Sequence, residues 1–361
     1  DKVCQYVIAD GVKDAVNTAV VTIATKTSTD ADYRTAIEGL NAFEFPTINM
    51  PVAGKYYAFS CVDGGKYVSS TISGTNNRLT MVGEEDNTTI YYYDGTSLLS
   101  YAAGQTINAY DLTAIGETTS VTFTAANKGT VGKYNIRLGE RVIYGSGTNI
   151  DSGTGNPDNR DGYVWTIKEV TSLPVTITAA KYATFYAPVA VKVASGVTAY
   201  TATVDAANNK VILNEVDGVI PANTGVVLYS ENAGTYNFTI TDDVEAIEGN
   251  ALRGSAAATY YTTAGTYYAL GLVDGKVGFY KDAFNNSRFQ NNSHKAYLYV
   301  PAANGAASYS FRFEGEGTTG ISEVKGESGE VKAIYDLTGR RVEAITAPGI
   351  YIVNGKKVLM K

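Results

Sequence analysis

The chain is poor in the residues that usually carry chemistry. Its 361 residues include two cysteines, one histidine and one tryptophan. Cys4 and Cys61 form neither a disulfide framework nor a metal motif, and the sequence leaves open whether they pair with each other. A lone histidine, His294, cannot build a multi-histidine zinc site, and no cysteine cluster stands beside it. Ser287 and Ser293 lie close by, but no Gly-x-Ser-x-Gly elbow accompanies them, so His294 reads as a surface or loop histidine. The net charge is −7. No Lys/Arg cluster forms the basic face that phosphate neutralisation requires, which excludes a nucleic-acid partner. No run approaches the roughly 18 apolar residues of a membrane-spanning helix. Eight prolines are too few for long polyproline linkers. The glycines never form a strand–loop–helix phosphate cradle. There is no initiator Met and no recognisable signal peptide, so a fragment or a mature form is expected.

What the chain does have is tyrosine, 28 of them, together with 37 glycines and many Thr and Val. That composition belongs to β-rich proteins. The length suffices for two or three domains of roughly 100–200 residues, each able to bury its own core without disulfides. Residues 1–51 read as a helical segment and linker, with the helical signal in residues 1–45. Val12, Val16, Ala19, Val20 and Ile23 fall on one face at helical spacing, and Tyr33, Ile37 and Leu40 form a second set. Asp30 is placed as the N-cap of the second helix, and Pro46 and Pro51 bracket a linker.

Residues 52–172 read as a repeat. Gly54-Lys55-Tyr56 recurs as Gly132-Lys133-Tyr134, 78 residues later, or twice 39. A middle copy is expected near Tyr93-Asp94-Gly95. Asp63-Gly64-Gly65, Ala103-Gly104 and Gly139-Glu140 supply the turns. Three units of roughly 40 residues made of short strands have the size and number of a β-trefoil. The alternating Tyr163-Val164-Trp165-Thr166-Ile167 closes it, with Trp165 expected in the core. The module resembles the ricin-type β-trefoil family across this span. It departs from that family's Gln-x-Trp motif, because Tyr163 stands where the Gln would.

Residues 173–317 predict an antiparallel β-sandwich. Val189, Val191 and Val193 alternate, and Val211-Ile212-Leu213 follows a turn at Asn208-Asn209. Pro221 to Gly225 is a loop before Val226-Val227-Leu228. Asp274-Gly275 between Tyr267–Val273 and Lys276–Lys281 suits a two-residue type I′ turn. The stretches Lys181 to Pro188 and Lys295-Ala296-Tyr297-Leu298 resemble an accessory β-module of Bacteroidetes surface proteins. Residues 318–361 read as three strands with two Gly-containing turns, ending in an Asn354-Gly355 hairpin. Ile334 to Val342 and Pro348 to Val358 resemble the C-terminal sorting tail of Bacteroidetes type IX secretion cargo. That resemblance implies export machinery as a partner and a secreted or cell-surface location.

For chemistry, the carboxylates come first, since a glycosidase needs only two. They fall mainly in turns (Asp63, Asp94, Asp274) or runs such as Glu84-Glu85-Asp86, where turn chemistry accounts for them. The loop Asp151 to Gly162 is polar, but aligning Gly162 with the sixth position of a calcium loop puts Pro157 first, where a carboxylate belongs. No catalytic residue, metal ligand or cofactor is therefore assigned. Sugar-binding modules stack a pyranose on an exposed aromatic ring and fix its hydroxyls with polar side chains. Asp63, Tyr67 and Tyr91 are the candidates. The sequence thus predicts a mainly β, non-catalytic accessory region of an exported bacterial surface protein that binds carbohydrate through the trefoil. The alternative is a structural or adhesive protein that binds host protein, and a cryptic glycoside hydrolase comes last.

Overall fold

The computed structural model describes residues 18, 21, 25, 29–41, 50–74, 77–113, 116–126, 132–154, 157, 160–262, 267–281, 288–300, 306–314, 334–336, 341–342, 349–353 and 356–360. The first predicted helix and Cys4 lie outside them. The second helix forms at Asp30–Asn41, but its cap is Thr29, not Asp30. The Thr29 hydroxyl accepts from Asp32 N at 3.3 Å, and the Asp32 carboxylate accepts from Thr29 N at 2.8 Å. This reciprocal box satisfies two otherwise unpaired donors, which a residue inside the helix cannot do.

Ten strands follow: β1 (Lys55–Cys61), β2 (Tyr67–Ile72), β3 (Leu79–Val82), β4 (Tyr91–Tyr93), β5 (Leu98–Ser100), β6 (Val121–Ala125), β7 (Lys133–Leu138), β8 (Arg141–Ser146), β9 (Asn149–Thr154) and β10 (Trp165–Glu169). Strand β1 pairs with both β4 and β10, β4 with β5, β6 with β7, and β7 with β10. Val121 N donates to Thr96 O at 2.7 Å and joins the β6 edge to the start of β5. Six strands thereby close a barrel. Three hairpins hang from it: β2–β3, β8–β9, and a shorter one marked by the bridges Leu99↔Thr106 and Ile107↔Leu112. The hairpins meet one another, since Leu79 N donates to Tyr110 O and Met81 N to Thr148 O. A six-stranded barrel with three hairpins is a β-trefoil.

The repeat is anchored by Gly54, Gly95 and Gly132, which precede β1, β5 and β7 with φ of +85°, +98° and +75°. Only glycine enters that region without strain. The middle copy therefore starts at Gly95-Thr96-Ser97, and Tyr93 ends the first copy instead of opening the second. Along β1 the two-residue period sorts the side chains. Tyr57, Phe59 and Cys61 join the barrel core with Leu79, Ile143, Ile150 and Trp165. Trp165 is fully buried and donates Nε1–H to Ile143 O. Tyr56 points the other way.

The second module has two larger sheets that face each other, and a two-stranded one, Thr259–Tyr261 with Phe289–Asn291. In the smaller of the facing pair, strands Ser172–Ile177, Gly234–Ile240, Val191–Lys192 and Val219–Ile220 lie in that order. A nine-stranded sheet opposes it. Leu173, Val175 and Phe238 of the first share one core with Phe185, Val226 and Leu228 of the second. Pairing is antiparallel except between Lys210–Glu215 and Ser308–Phe313, which run parallel. Asp274 and Gly275 have φ of +48° and +74°, and Val273 pairs with Lys276, as the Asp-Gly dipeptide predicts.

Trefoil and second module belong to one compact unit, Asp1–Glu314. Tyr56, Ile90 and Tyr101 enter the second module's core. The Tyr101 hydroxyl donates to Pro174 O at 2.8 Å. Residues 315–361 form the other unit. Its strands Arg341–Val342, Ile334–Asp336, Gly349–Val353 and Lys356–Met360 make an antiparallel sheet in that order. There are four strands where the sequence predicts three, because Arg341–Val342 folds back on Ile334–Asp336 as a separate strand.

Candidate functional site

Of the three residues singled out in the sequence, Asp63 lies on the exposed turn between β1 and β2, closed by Cys61 N donating to Lys66 O. Tyr67 opens β2, half-buried. Its hydroxyl is hydrogen-bonded to the Glu85 carboxylate, which holds its pKa above the ordinary tyrosine value. Glu85 also accepts from Lys168 Nζ at 2.7 Å. Tyr67 therefore meets Glu85, and among the described residues it shares no hydrogen bond with Asp63.

Tyr91 is a correction. It is fully buried in the barrel core, 5.8 Å ring to ring from Phe59, and donates to Val68 O at 3.3 Å. Burial raises its hydroxyl pKa. A ring enclosed between β1 and β5 has no face to offer a sugar. The two-residue alternation turns Tyr91 into the barrel and Tyr92 out of it, and the closed barrel encloses the inward ring. His294 is a second correction. It sits in a turn with φ of +52°, yet only 4% of it is exposed, because the trefoil covers that turn.

A different set of side chains gathers on the trefoil hairpins. Arg78 and Arg141 place their guanidinium carbons 5.3 and 5.0 Å from the centre of the Tyr110 ring. Arg141 also donates to the Tyr110 hydroxyl and, through Nε, to Ser152 Oγ at 2.6 Å. Arg78 pairs with Asp151 at 2.7 Å. Asp151 faces Tyr144 across the β8–β9 ladder, where opposed residues share one side of the sheet. Burial first, then the Asp151 charge, raises the Tyr144 hydroxyl. The Tyr144 ring lies 4.6 Å from that of Tyr163, and Arg160 stands 5.3 Å over Tyr163.

Local chemistry sets these positions. The Asn108 side chain accepts from Tyr110 N and Asp111 N, both at 2.8 Å, which fixes the hairpin tip carrying Tyr110. Tyr163 sits in a 3-10 turn, Asp161–Tyr163, just before β10. The outcome is a strip in which half-buried rings alternate with guanidinium and carboxylate groups. Rings stack on apolar sugar faces, and the charged groups hydrogen-bond hydroxyls. Among the described residues no three His, Cys, Asp or Glu side chains gather as metal ligands. Sequence reasoning missed the strip because its members come from three separate hairpins and from the turn before β10. The Asn108-to-Asp111 turn was its one local signal.

No protein-family model matches the chain, and no curated protein sequence does. Among solved structures it is similar to the BEL beta-trefoil in an apo crystal form, at 15% identity and a TM-score of 0.29, over 34% of this chain and 97% of that one. It is similar to the Macrolepiota procera ricin B-like lectin in complex with lactose, at 13% identity and a TM-score of 0.28, over 34% of this chain and 100% of that one. It is also similar to Cry35Ab1, at 10% identity and a TM-score of 0.27, over 70% and 89% of the two chains. These scores are low, and the trefoil assignment rests on the strand pairing alone.

Proposed function

We propose that this chain is a non-catalytic, carbohydrate-binding part of an exported bacterial surface protein, and that the trefoil hairpins hold the sugar. The strip Tyr110–Arg78–Asp151–Tyr144–Tyr163 carries the reading. It supplies two half-buried rings side by side, with a carboxylate and a guanidinium within hydrogen-bond reach. Sites that hold a single sugar bind weakly, with Kd on the order of millimolar, so useful retention calls for several copies at a surface. A glycan array probed with multimerised full chain tests this. Tyr144→Ala should cut retention about tenfold or more while the fold survives. A blank array, or undiminished retention by Tyr144→Ala, sinks it.

The resemblance of residues 318–361 to a sorting tail supports export to the cell surface. A second reading, adhesion to a partner protein, is favoured by one feature. In the second module, the tip of the hairpin formed by Tyr267–Val273 and Lys276–Lys281 carries Leu272 and Val273 side by side at 55% and 46% exposure.

A further inference from the structure

A groove of about 570 Å³ lies between the trefoil and the second module. Its trefoil wall is the corner Glu85 to Asn87 and the end of β10. The other wall is the two-stranded ribbon Ser172–Ile177 with Gly234–Ile240. On that ribbon Leu173, Val175 and Phe238 are buried in the sandwich core. The two-residue period then turns Pro174, Thr176, Thr235 and Asn237 outward, into the groove. Pro174 faces Asn237 and Thr176 faces Thr235 across the ladder.

Docking of the modules creates this space, and the docking is specific. Besides the Tyr101–Pro174 bond, Ser293 Oγ donates to Tyr101 O at 2.6 Å and Ala258 N to Gly104 O at 2.9 Å. Gly104 is required there, because a Cβ would come within 2.5 Å of Ala258 N.

The lining mixes neutral hydrogen-bonding groups with the Lys168–Glu85 ion pair and two further carboxylates, Asp86, which accepts from Thr88, and Glu169, which pairs with Lys55. The Thr176 and Thr235 hydroxyls lie 3.0 Å apart. The amides of Asn87 and Asn237 have no hydrogen-bond partner among the described residues, so each offers donors and an acceptor. Glu85 is held in place by Lys168, which lines the groove beside it, and by the Tyr67 hydroxyl. Such groups match the paired donor and acceptor capacity of sugar hydroxyls. The volume falls in the range of about 300–1,000 Å³ typical of ligand sites. A peptide adding as a strand fits poorly. Along the Ser172–Ile177 edge, Pro174 has no N–H and its carbonyl already accepts from Tyr101.

We propose that this groove is a second ligand site, for an oligosaccharide of several units, built jointly by the two modules. It is separate from the hairpin strip and goes beyond the function proposed for it. Lys168, Glu85 and Asn87 approach the ligand from the trefoil, and Asn237, Thr176 and Thr235 from the sandwich.

The test is titration of the full chain, by calorimetry and by backbone amide NMR, with maltohexaose, xylohexaose, mannohexaose and N-acetylchitohexaose. At least one should bind and shift the amides of Asn87, Thr235 and Asn237. Asn237→Ala, an exposed position, should weaken that binding about tenfold with an unchanged melting temperature. Tyr144→Ala should leave the ligand-induced shifts at Asn87, Thr235 and Asn237 in place, whatever it does to retention on the hairpin strip. The proposal is overturned if none of the four binds, or if Asn237→Ala binds as the wild type does. It is equally overturned if Tyr144→Ala alone abolishes binding, because the ligand then sits on the hairpin strip. Retention on glycans through Tyr144 with a silent groove leaves the strip standing and removes only the groove.

Discussion

The imidazole of His294 lies 4.3 Å, ring to ring, from Tyr101, so a turn of the second module is seated against a trefoil tyrosine. His294 Nδ1 is 2.9 Å from the Tyr186 carbonyl, which can only accept, so Nδ1 carries the hydrogen. Nε2 is left with a buried lone pair that has no partner among the described residues, and the Tyr56 hydroxyl, whose ring lies 5.9 Å away, is likewise buried without one.

That seat resists protonation. Burial, which outweighs the Tyr186 hydrogen bond, lowers the His294 pKa from 6.5 to about 4, with the Lys295 charge adding to the effect. Below pH 6.5 the unfolded chain takes up a proton that the folded chain refuses until about pH 4. The stability from this group is therefore complete above pH 6.5 and is lost as pH falls toward 4. The loss is on the order of 3 kcal/mol. His294 is the one histidine of the chain, and no other side chain has an ordinary pKa between about 5 and 8. Urea midpoints measured from pH 7.5 to 4.5 should show the decline, and His294→Leu should flatten it between pH 6.5 and 5. An equal slope in the variant would assign the effect elsewhere.

Tyr101→Phe removes the hydroxyl that reaches Pro174 O and leaves the ring against His294. A cost of about 1 kcal/mol is expected. It should appear as a lower urea midpoint with unchanged far-ultraviolet circular dichroism. No shift in the midpoint would mean that water replaces the hydroxyl without cost.

Tyr91→Ala should behave as a core truncation and lose about 3–5 kcal/mol. Chemical denaturation checks it. A variant that stays as stable as wild type while losing glycan would restore Tyr91 as a binding residue.

Deleting residues 320–361 should leave the trefoil and second module folded and the protein held in the periplasm, if the sorting-tail resemblance reflects function. Cell fractionation with surface labelling reads the outcome. Normal surface delivery of the shortened chain would leave those strands as structure only.

Local features were legible in the sequence for a local reason. Asp274-Gly275 fixed its turn because both positions need positive φ, and few residue types tolerate that. Gly54 and Gly132 betrayed the repeat on the same ground, although the middle copy was misplaced, since Gly95 is followed by Thr96-Ser97 and not by Lys-Tyr. Trp165 was legible as core from the alternation around it. Tyr91, Tyr92 and Tyr93 look alike in sequence, yet only Tyr91 is fully enclosed by the closed barrel; Tyr93 is partly buried against the same core, and Tyr92 turns to the second module's core. The same holds for Arg78 and Asp151, paired across 73 residues, and for His294, buried by a surface of the trefoil far from it in the chain. Sequence alone settles backbone conformation and the two-residue alternation, because both act between neighbours. Burial and side-chain partners are settled by which distant strands close the barrel and which face of the trefoil the second module covers, and only the tertiary structure decides that.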